Sequence, residues 1–373
     1  MAALLAFCYG LAPESLAQSG NQGSAAAGES RPGGWSFAVS GDSRNCGDVV
    51  MPAIAAGVRH KGASFYWHLG DFRKTSDFDE DMQHQPEYIA TPLTIARYEE
   101  ISWSDFIQSQ IAPFRSLPVF LAIGNHETTP PKTREQYLIQ FADWLNAPEL
   151  RVQKRLDDPE DHKLTTYYHW IRDDIDFVAL DNATKDQFDA HQLQWFEKVM
   201  DRDSANPQIH TVVVGMHEAL PESISKGHSM NEPATGTESG RPVYTDLLKV
   251  QDEAHKYVYV LASHSHYFMD GIFITQYWRA NGGVLPGWII GTAGAVRYPL
   301  PKESNDARAA ETNVYGFLLG SVKPDGEIVF TFQRVNEPDI PSAVVQRYTP
   351  QFVHWCFAEN SDAHFATIPR INP

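Results

Sequence analysis

Cysteine is scarce, with three residues in 373, at positions 8, 46 and 356. No two of them have the close spacing of a zinc finger, so a cysteine-held structural zinc is excluded. Basic residues are few as well: 30 Lys and Arg stand against 47 Asp and Glu, a formal net charge of −17. A surface that acidic repels a polyphosphate backbone, so no nucleic-acid partner is expected. No apolar run reaches the roughly 18 residues of a membrane span. The chain has no internal repeat, no Gly-x-Ser-x-Gly elbow and no His-Glu-x-x-His helix. Serine-hydrolase and zincin chemistries are therefore set aside. What remains is globular in character, with 42% hydrophobic and 12% aromatic residues. That is enough to bury a sizeable core.

The N-terminus lacks positive charge too, since the first Lys or Arg is Arg31. Ala2–Ala12 is apolar, and Ser15-Leu16-Ala17 has the small-x-small pattern of a cleavage site. Residues 1–17 read as a signal peptide, which makes the protein secreted or periplasmic. The missing basic region leaves two alternatives, a start upstream of Met1 or a plain apolar tail. Residues 18–34, rich in Gly, Ser and Ala, read as a flexible leader. Cleavage removes Cys8 and leaves Cys46 and Cys356, which either pair in an oxidising compartment or stay separate thiols.

From Trp35 onward short apolar runs alternate with amphipathic stretches. Strands are expected at Ser36–Val39, Ser64–Leu69, Val119–Ile123, Phe177–Leu180, Thr211–Val214 and Tyr257–Leu261, and later at Gly271–Tyr277, Gly287–Ile290, Gly316–Val322 and Ile328–Arg334. Val243, Leu247, Val250 and Ala254 follow helical spacing, as do Leu193, Phe196 and Met200. The pattern predicts an α/β protein with mixed sheets. It divides into one large domain over residues 35–335 and a C-terminal tail, 336–373, packed on that domain through Phe352, Trp355 and Phe357.

The most informative residues stand at the strand ends. Five strands run directly into loops rich in metal-ligand types: Gly41-Asp42-Ser43-Arg44, Gly70-Asp71, Gly124-Asn125-His126-Glu127, Gly215-Met216-His217-Glu218 and Ser263-His264-Ser265-His266. In an open α/β sheet, ligands bind beyond the carboxyl ends of the strands. The five loops can therefore converge, and their mixed oxygen and nitrogen donors suit Zn, Mn or Fe. A lone Gly-Asp is usually a turn, and a lone buried His is usually a satisfied core residue. The ordered set of five, each at a strand end, is what points to metal.

These motifs, in this order, resemble the calcineurin-like metallophosphoesterases over roughly residues 35–335, with the purple acid phosphatase-like branch the nearest. Tyr167-Tyr168 followed by Phe177–Asn182, and Gly291-Thr292-Ala293-Gly294-Ala295, look like further parts of that pattern. The resemblance implies a four-layer α/β/β/α sandwich with the metal site at the carboxyl ends of the strands. It implies two divalent or trivalent ions, Fe, Zn or Mn. Asp71 would bridge them, Asn125, His217 and His264 would complete one site, and Asp42 and His266 would serve the other. His126 would protonate the leaving oxygen, and Glu127 is a candidate to orient that imidazole. The implied reaction is hydrolysis of a phosphate ester on a small substrate, a phosphomonoester first, by a metal-activated hydroxide. A phosphodiesterase, or a non-catalytic metal- or phosphate-binding module, is the alternative.

The chain departs from the family pattern twice. Arg44 stands where the family's Asp-x-His motif has its histidine, and Lys74 stands where the purple branch has its tyrosine. The first metal site is thus expected to be weak or empty. Arg44 either grips a phosphate oxygen bidentately or forms a structural ion pair with a nearby Asp. The polar stretch Pro221–Gly240 is either one wall of the pocket, bringing His228 to the substrate, or a solvated loop.

Overall fold

The computed structural model describes residues 34–231 and 233–362. The residues expected to form the signal peptide, and nearly all of the leader, lie outside that range. Two mixed sheets face each other. The first comprises β1 (Ser36–Ser40), β2 (Tyr66–His68), β3 (Val119–Leu121), β11 (Tyr315–Val322) and β12 (Ile328–Val335), in the order β12-β11-β1-β2-β3. The second comprises β4 (Tyr168–Arg172), β5 (Ile175–Ala179), β6 (Thr211–Gly215), β7 (Tyr257–Ala262), β8 (Phe268–Asp270), β9 (Gly287–Ile290) and β10 (Ala309–Glu311), in the order β10-β8-β9-β7-β6-β5-β4. Strands β1, β2 and β3 run parallel, as do β5, β6, β7 and β9. The hairpins β11–β12 and β4–β5 each form one edge of a sheet.

The interior strands are short and almost wholly apolar, as in Thr211–Gly215 (TVVVG), because each is buried on both faces. Between the sheets lies an aromatic core of Phe37, Phe65, Trp67, Phe120, Trp170 and Phe177. Phe65 meets Phe177 edge-on at 5.2 Å, and Trp170 stacks on Phe177 at 5.1 Å. Such contacts join the layers with a fixed geometry rather than by burial alone.

The outer face of the first sheet packs against the helix Gly47–His60, whose Val50, Ile54 and Val58 are fully buried. Asp48 in its first turn and Arg59 and His60 in its last complement the helix dipole. The outer face of the second sheet carries Ala190–Ala205 and Ala234–Asp252, through Phe196, Met200, Val243 and Leu247. The result is the four-layer α/β/β/α sandwich with mixed sheets. No helix among the described residues is long and apolar enough to cross a membrane.

Two local expectations are corrected. Gly271–Tyr277 is not a strand. Pairing ends at Asp270, Gly271 turns the chain at φ +84°, and Thr275 caps a short helix, Gln276–Ala280. The strands β8 and β10, three residues each, are too short to carry an alternation signal. Pro221–Gly240 is not a solvated loop: Ser223, Ser225, Ser229 and Met230 are buried, and its end, from Ala234, already belongs to a helix. The C-terminal segment forms the helices Ser342–Tyr348 and Pro350–Ala358, and Phe352, Val353 and Cys356 enter the core beside Gly47–His60. Cys46 and Cys356 form a disulfide.

Candidate metal centre

The carboxyl ends of β1, β2, β3, β6, β7 and β9 open onto one rim, where hydrogen bonds stitch their loops together. Asp42 N–H donates to Gly70 O (3.0 Å), Ser43 N–H to Asp71 O (3.0 Å), Gly41 N–H to Ile290 O (3.0 Å) and Ser263 N–H to His217 O (2.9 Å). The loops approach so closely that glycine is required. A Cβ on Gly70 would lie 2.5 Å from Gly124 N, and one on Gly124 would lie 2.4 Å from Asp71 Oδ1. Asp42, Asp71 and His264 themselves adopt left-handed backbone, with φ of 61°, 59° and 61°. Non-glycine residues held in that region cost about 1–2 kcal/mol each. Three such residues on one rim mark a place where side-chain direction outweighs backbone comfort.

That direction is inward. His217 Nε2 lies 3.0 Å from Asn125 Oδ1, 3.0 Å from His264 Nδ1 and 3.3 Å from Asp71 Oδ1. One donor atom each from Asp42, Asp71, His217 and His264 falls within 4.8 Å of all the others. The far nitrogen of His217 donates to Leu69 O (2.9 Å), which fixes the ring and aims Nε2 into the cluster. Asp42 Oδ2 accepts from His264 N–H (2.7 Å), while Asp42 Oδ1 and Asp71 Oδ2 are buried with no hydrogen-bond donor. Orphaned carboxylate oxygens beside convergent imidazole nitrogens and an amide oxygen fit a divalent or trivalent cation.

Burial alone would raise the Asp71 carboxyl. His217, with the His126 ring and the Arg44 guanidinium beside it, overrules burial and holds Asp71 well below the usual carboxylate range. Burial likewise works against the charged form of His217, but Asp71 prevails and lifts that imidazole to about 10. Burial, followed by the charge of His217, pushes His264 well down, so its ring is neutral and can ligate.

The other half of the site is built differently. Asp71 turns its second oxygen, Oδ2, toward Arg44, whose Nε is 3.5 Å away. The Arg44 guanidinium donates from Nη2 to His266 Nε2 at 2.8 Å and from Nη1 to His126 Nε2. Both imidazoles are fixed as acceptors, because His266 Nδ1–H donates to Val296 O (2.6 Å) and His126 Nδ1–H to Lys74 O (2.6 Å). His266 Nε2 also lies 3.2 Å from Asp42 Oδ1. Lys74 contributes its backbone carbonyl here and sends its ammonium to Asp77 (2.9 Å).

All eight residues singled out at the strand ends, Asp42, Arg44, Asp71, Asn125, His126, His217, His264 and His266, thus meet on this rim. Glu127 does not orient His126. Its carboxylate accepts from the backbone N–H groups of Asp71 (2.8 Å), Phe72 (2.9 Å) and Gly124 (2.8 Å), clamping two loops together. Sequence reasoning missed Tyr298, which stacks on His266 at 4.0 Å and on His228 at 5.0 Å. His228 in turn lies 5.5 Å, ring to ring, from His264. Tyr298 belongs to no strand-end motif, so no spacing pointed to it.

A four-layer sandwich with Asp, Asn and His donors on its strand-end loops defines the metallophosphoesterase class of fold. The sequence model of the calcineurin-like phosphoesterase family matches residues 37–268, more than half of the chain. The chain belongs to that family. No sequence among the curated proteins matches it. Among solved structures it is similar to a purple acid phosphatase, PPD1, from yellow lupin (Lupinus luteus), with 15% identity and a TM-score of 0.51 over 81% of this chain and 51% of that one. The chain therefore spans about half the length of the lupin enzyme. It is also similar to PhoD, with 12% identity and a TM-score of 0.47 over 82% of this chain and 72% of that one. A dimetal phosphatase from Danio rerio shares 12% identity and a TM-score of 0.47, over 80% of this chain and 96% of that one. At these identities the likeness is one of fold.

Proposed function

We propose that the protein hydrolyses a phosphate ester, a small phosphomonoester first, in a metal-dependent reaction at this rim. The observation that carries the reading is the convergence of His217 Nε2, His264 Nδ1, Asn125 Oδ1 and Asp71 Oδ1 on one point, with Asp71 Oδ2 and Asp42 Oδ1 buried and without a hydrogen bond beside it. Asp71, Asn125, His217 and His264 would hold the ion, with Asp42 at its edge. Zn, Mn or Fe suits the donor set. When bound, the ion supplies charge that polarises a phosphoryl oxygen and lowers the pKa of water.

The chain's own residues bind, orient and move protons. The partly exposed side of the rim is formed by Asn125, His126 and His264, with the Arg44 side chain 10% exposed behind them. Arg44 offers N–H groups to a phosphate oxygen arriving from that side, and its delocalised charge suits a trigonal phosphoryl group. A phosphate that takes the Arg44 Nη1–H releases the His126 Nε2 lone pair. Once that lone pair has taken a proton from water, His126 Nε2 is the atom that passes it to the leaving oxygen. Lys74 O keeps the ring aimed throughout.

Residues 35–335 form the catalytic unit in this reading, with the C-terminal helices as a brace. The Cys46–Cys356 disulfide supports a secreted or periplasmic location, where such bonds persist. The test is hydrolysis of an aryl phosphomonoester and an aryl phosphodiester by wild type and Asp71→Asn, each supplied with Zn, Mn or Fe. A preference for the monoester that chelation abolishes is expected. Loss of a group that faces both halves of the site should exceed the roughly 10–100-fold cost of removing a residue behind a ligand. Absence of turnover with every metal, or equal rates for Asp71→Asn and wild type, would overturn the reading.

A further inference from the structure

We infer that Arg44 occupies the place of one cation, so that the working site holds a single metal ion per chain with the guanidinium as the second positive group. The inference rests on the metal-dependent function proposed for this rim and departs from the two ions that family membership implies. Three observations carry it. First, the guanidinium lies against the residues that a second ion would need. It reaches His266 Nε2 at 2.8 Å and faces Asp71 Oδ2 from 3.5 Å. Because His266 Nδ1–H is committed to Val296 O, the Nε2 lone pair is the only one that ring has to give, and Arg44 takes it.

Second, Arg44 does not behave as a structural ion-pair arginine. Such a residue forks onto one carboxylate with two parallel hydrogen bonds. Arg44 instead spreads its tight contacts over two imidazoles, His126 and His266, and meets Asp71 only through Nε at a longer range. Its donors follow the layout of a ligand shell rather than that of a fork. A guanidinium does not deprotonate in proteins, so its positive charge is permanent.

Third, the two halves of the site differ in kind. Around His217 Nε2 three acceptor atoms converge without any Lys or Arg side chain among them. On the other side of the Asp71 carboxylate the cation is already part of the chain. Asp71 thus faces a donor cluster with Oδ1 and the guanidinium with Oδ2, as a carboxylate between two positive centres would. Lys74 adds no side-chain ligand there, because its ammonium turns away to Asp77.

The test is metal content of the full chain after saturation with Mn2+ and removal of free ion, read by elemental analysis and by electron paramagnetic resonance. Wild type should carry one equivalent with the spectrum of an isolated ion. Arg44→His, which supplies an imidazole and removes the charge, should carry two and show a spin-coupled pair. Arg44→Gln should keep the single equivalent and lose most of its hydrolysis. Two equivalents in wild type, or one in Arg44→His, would overturn the inference while leaving metal-dependent hydrolysis standing. Wild type that binds no Mn2+ and hydrolyses nothing overturns the functional reading together with this one.

Discussion

Arg73 shows how a single residue stabilises the site without touching it. It lies two positions after Asp71, and its side chain has no solvent exposure. Nη1 donates to Asp81 (2.8 Å), and Nη2 donates to Asp48 (2.5 Å) and to Asp105, with Asp79 at 3.9 Å. Burial disfavours its charge, but Asp48, Asp81 and Asp105 more than compensate and hold the guanidinium well above its ordinary pKa. The carboxylates outnumber the cation, so burial and then Asp48 push Asp81 well up, and the same two causes raise Asp105 to about 6. Arg73 thereby ties the loop after Asp71 to Asp48 at the start of the helix that follows Arg44. Arg73→Met should cost about 3–5 kcal/mol of unfolding free energy, since removing one partner strands buried charge. Urea denaturation of the ion-free protein checks this, with Arg73→Lys expected to retain part of the loss, and a cost below about 1 kcal/mol would refute it. Nothing in the sequence announced this residue. Its partners lie at positions 48, 79, 81 and 105, so no local spacing links them. Asp42, Asp71, Asn125, His217, His264 and His266 were legible for the opposite reason. Each directly follows a strand, and strand ends in such a fold have one common destination. What spacing alone left open was which way Arg44 points, because that depends on the hydrogen bonds of His126 and His266.

At the scale of elements, the hairpin β4–β5 and the helix Ala190–Ala205 share a second buried charge cluster, remote in role from the metal rim. His169 on β4 donates from Nδ1 to Asp176 Oδ2 on β5 (2.8 Å) and from Nε2 to Asp157 (2.6 Å). Arg202 from the helix approaches the same ring at 3.0 Å and pairs with Asp157. Burial would lower the His169 pKa, but Asp176 and Asp157 overrule it and raise it to about 9. Asp203 lies beside them with no donor to either oxygen, and burial followed by the charge of Asp176 lifts it to about 9. Both groups bind protons more tightly folded than unfolded, so stability must fall as pH rises. For His169 the stabilisation is fully present below about 6.5, its unfolded value, and is lost as pH passes through about 9. For Asp203 the decline already begins near the unfolded carboxylate value and continues to about 9. The melting temperature should therefore drop between neutral and mildly alkaline pH, and His169→Gln should flatten that drop. A melting temperature that is constant or rising over that interval in wild type would contradict this account. The strands themselves were readable because β5, β6 and β7 are nearly pure apolar runs bounded by polar loops. The charge cluster was not, because His169 and Asp176 come together only through antiparallel pairing.

At the scale of the whole molecule, the chain closes on itself beside the site. Cys46 lies two residues after Arg44 and is bonded to Cys356, 310 positions away, on the helix Pro350–Ala358. Noncovalent contacts accompany the bond. Arg297 donates to Asn360 O (2.9 Å) and Phe357 O (2.7 Å), Tyr315 Oη–H to Cys356 O (3.1 Å), and Tyr348 Oη–H to Asp48 (2.7 Å). Arg297 comes shortly after the Gly291–Ala295 loop, whose Ala293 and Ala295 N–H groups donate to Gly41 O and Asp42 O. The tail thus braces the rim from two sides, through Cys46 and through Arg297. A covalent link across so long a segment removes much of the unfolded chain's freedom, and the chain-entropy argument puts its contribution at about 6 kcal/mol. The native contacts of the tail survive its loss, so the measured effect should fall at about 2–5 kcal/mol. Cys356→Ser and reduced wild type should lose stability equally, and reduction should do nothing further to Cys356→Ser. Because Cys46 anchors the Asp42–Arg44 loop, both should also bind Mn2+ more weakly than oxidised wild type. Denaturation curves with and without reductant, paired with a metal titration, measure the two effects together. If reduction leaves unfolding free energy and metal affinity unchanged, the brace is held by the tail's noncovalent contacts alone, and the disulfide has no part in shaping the site.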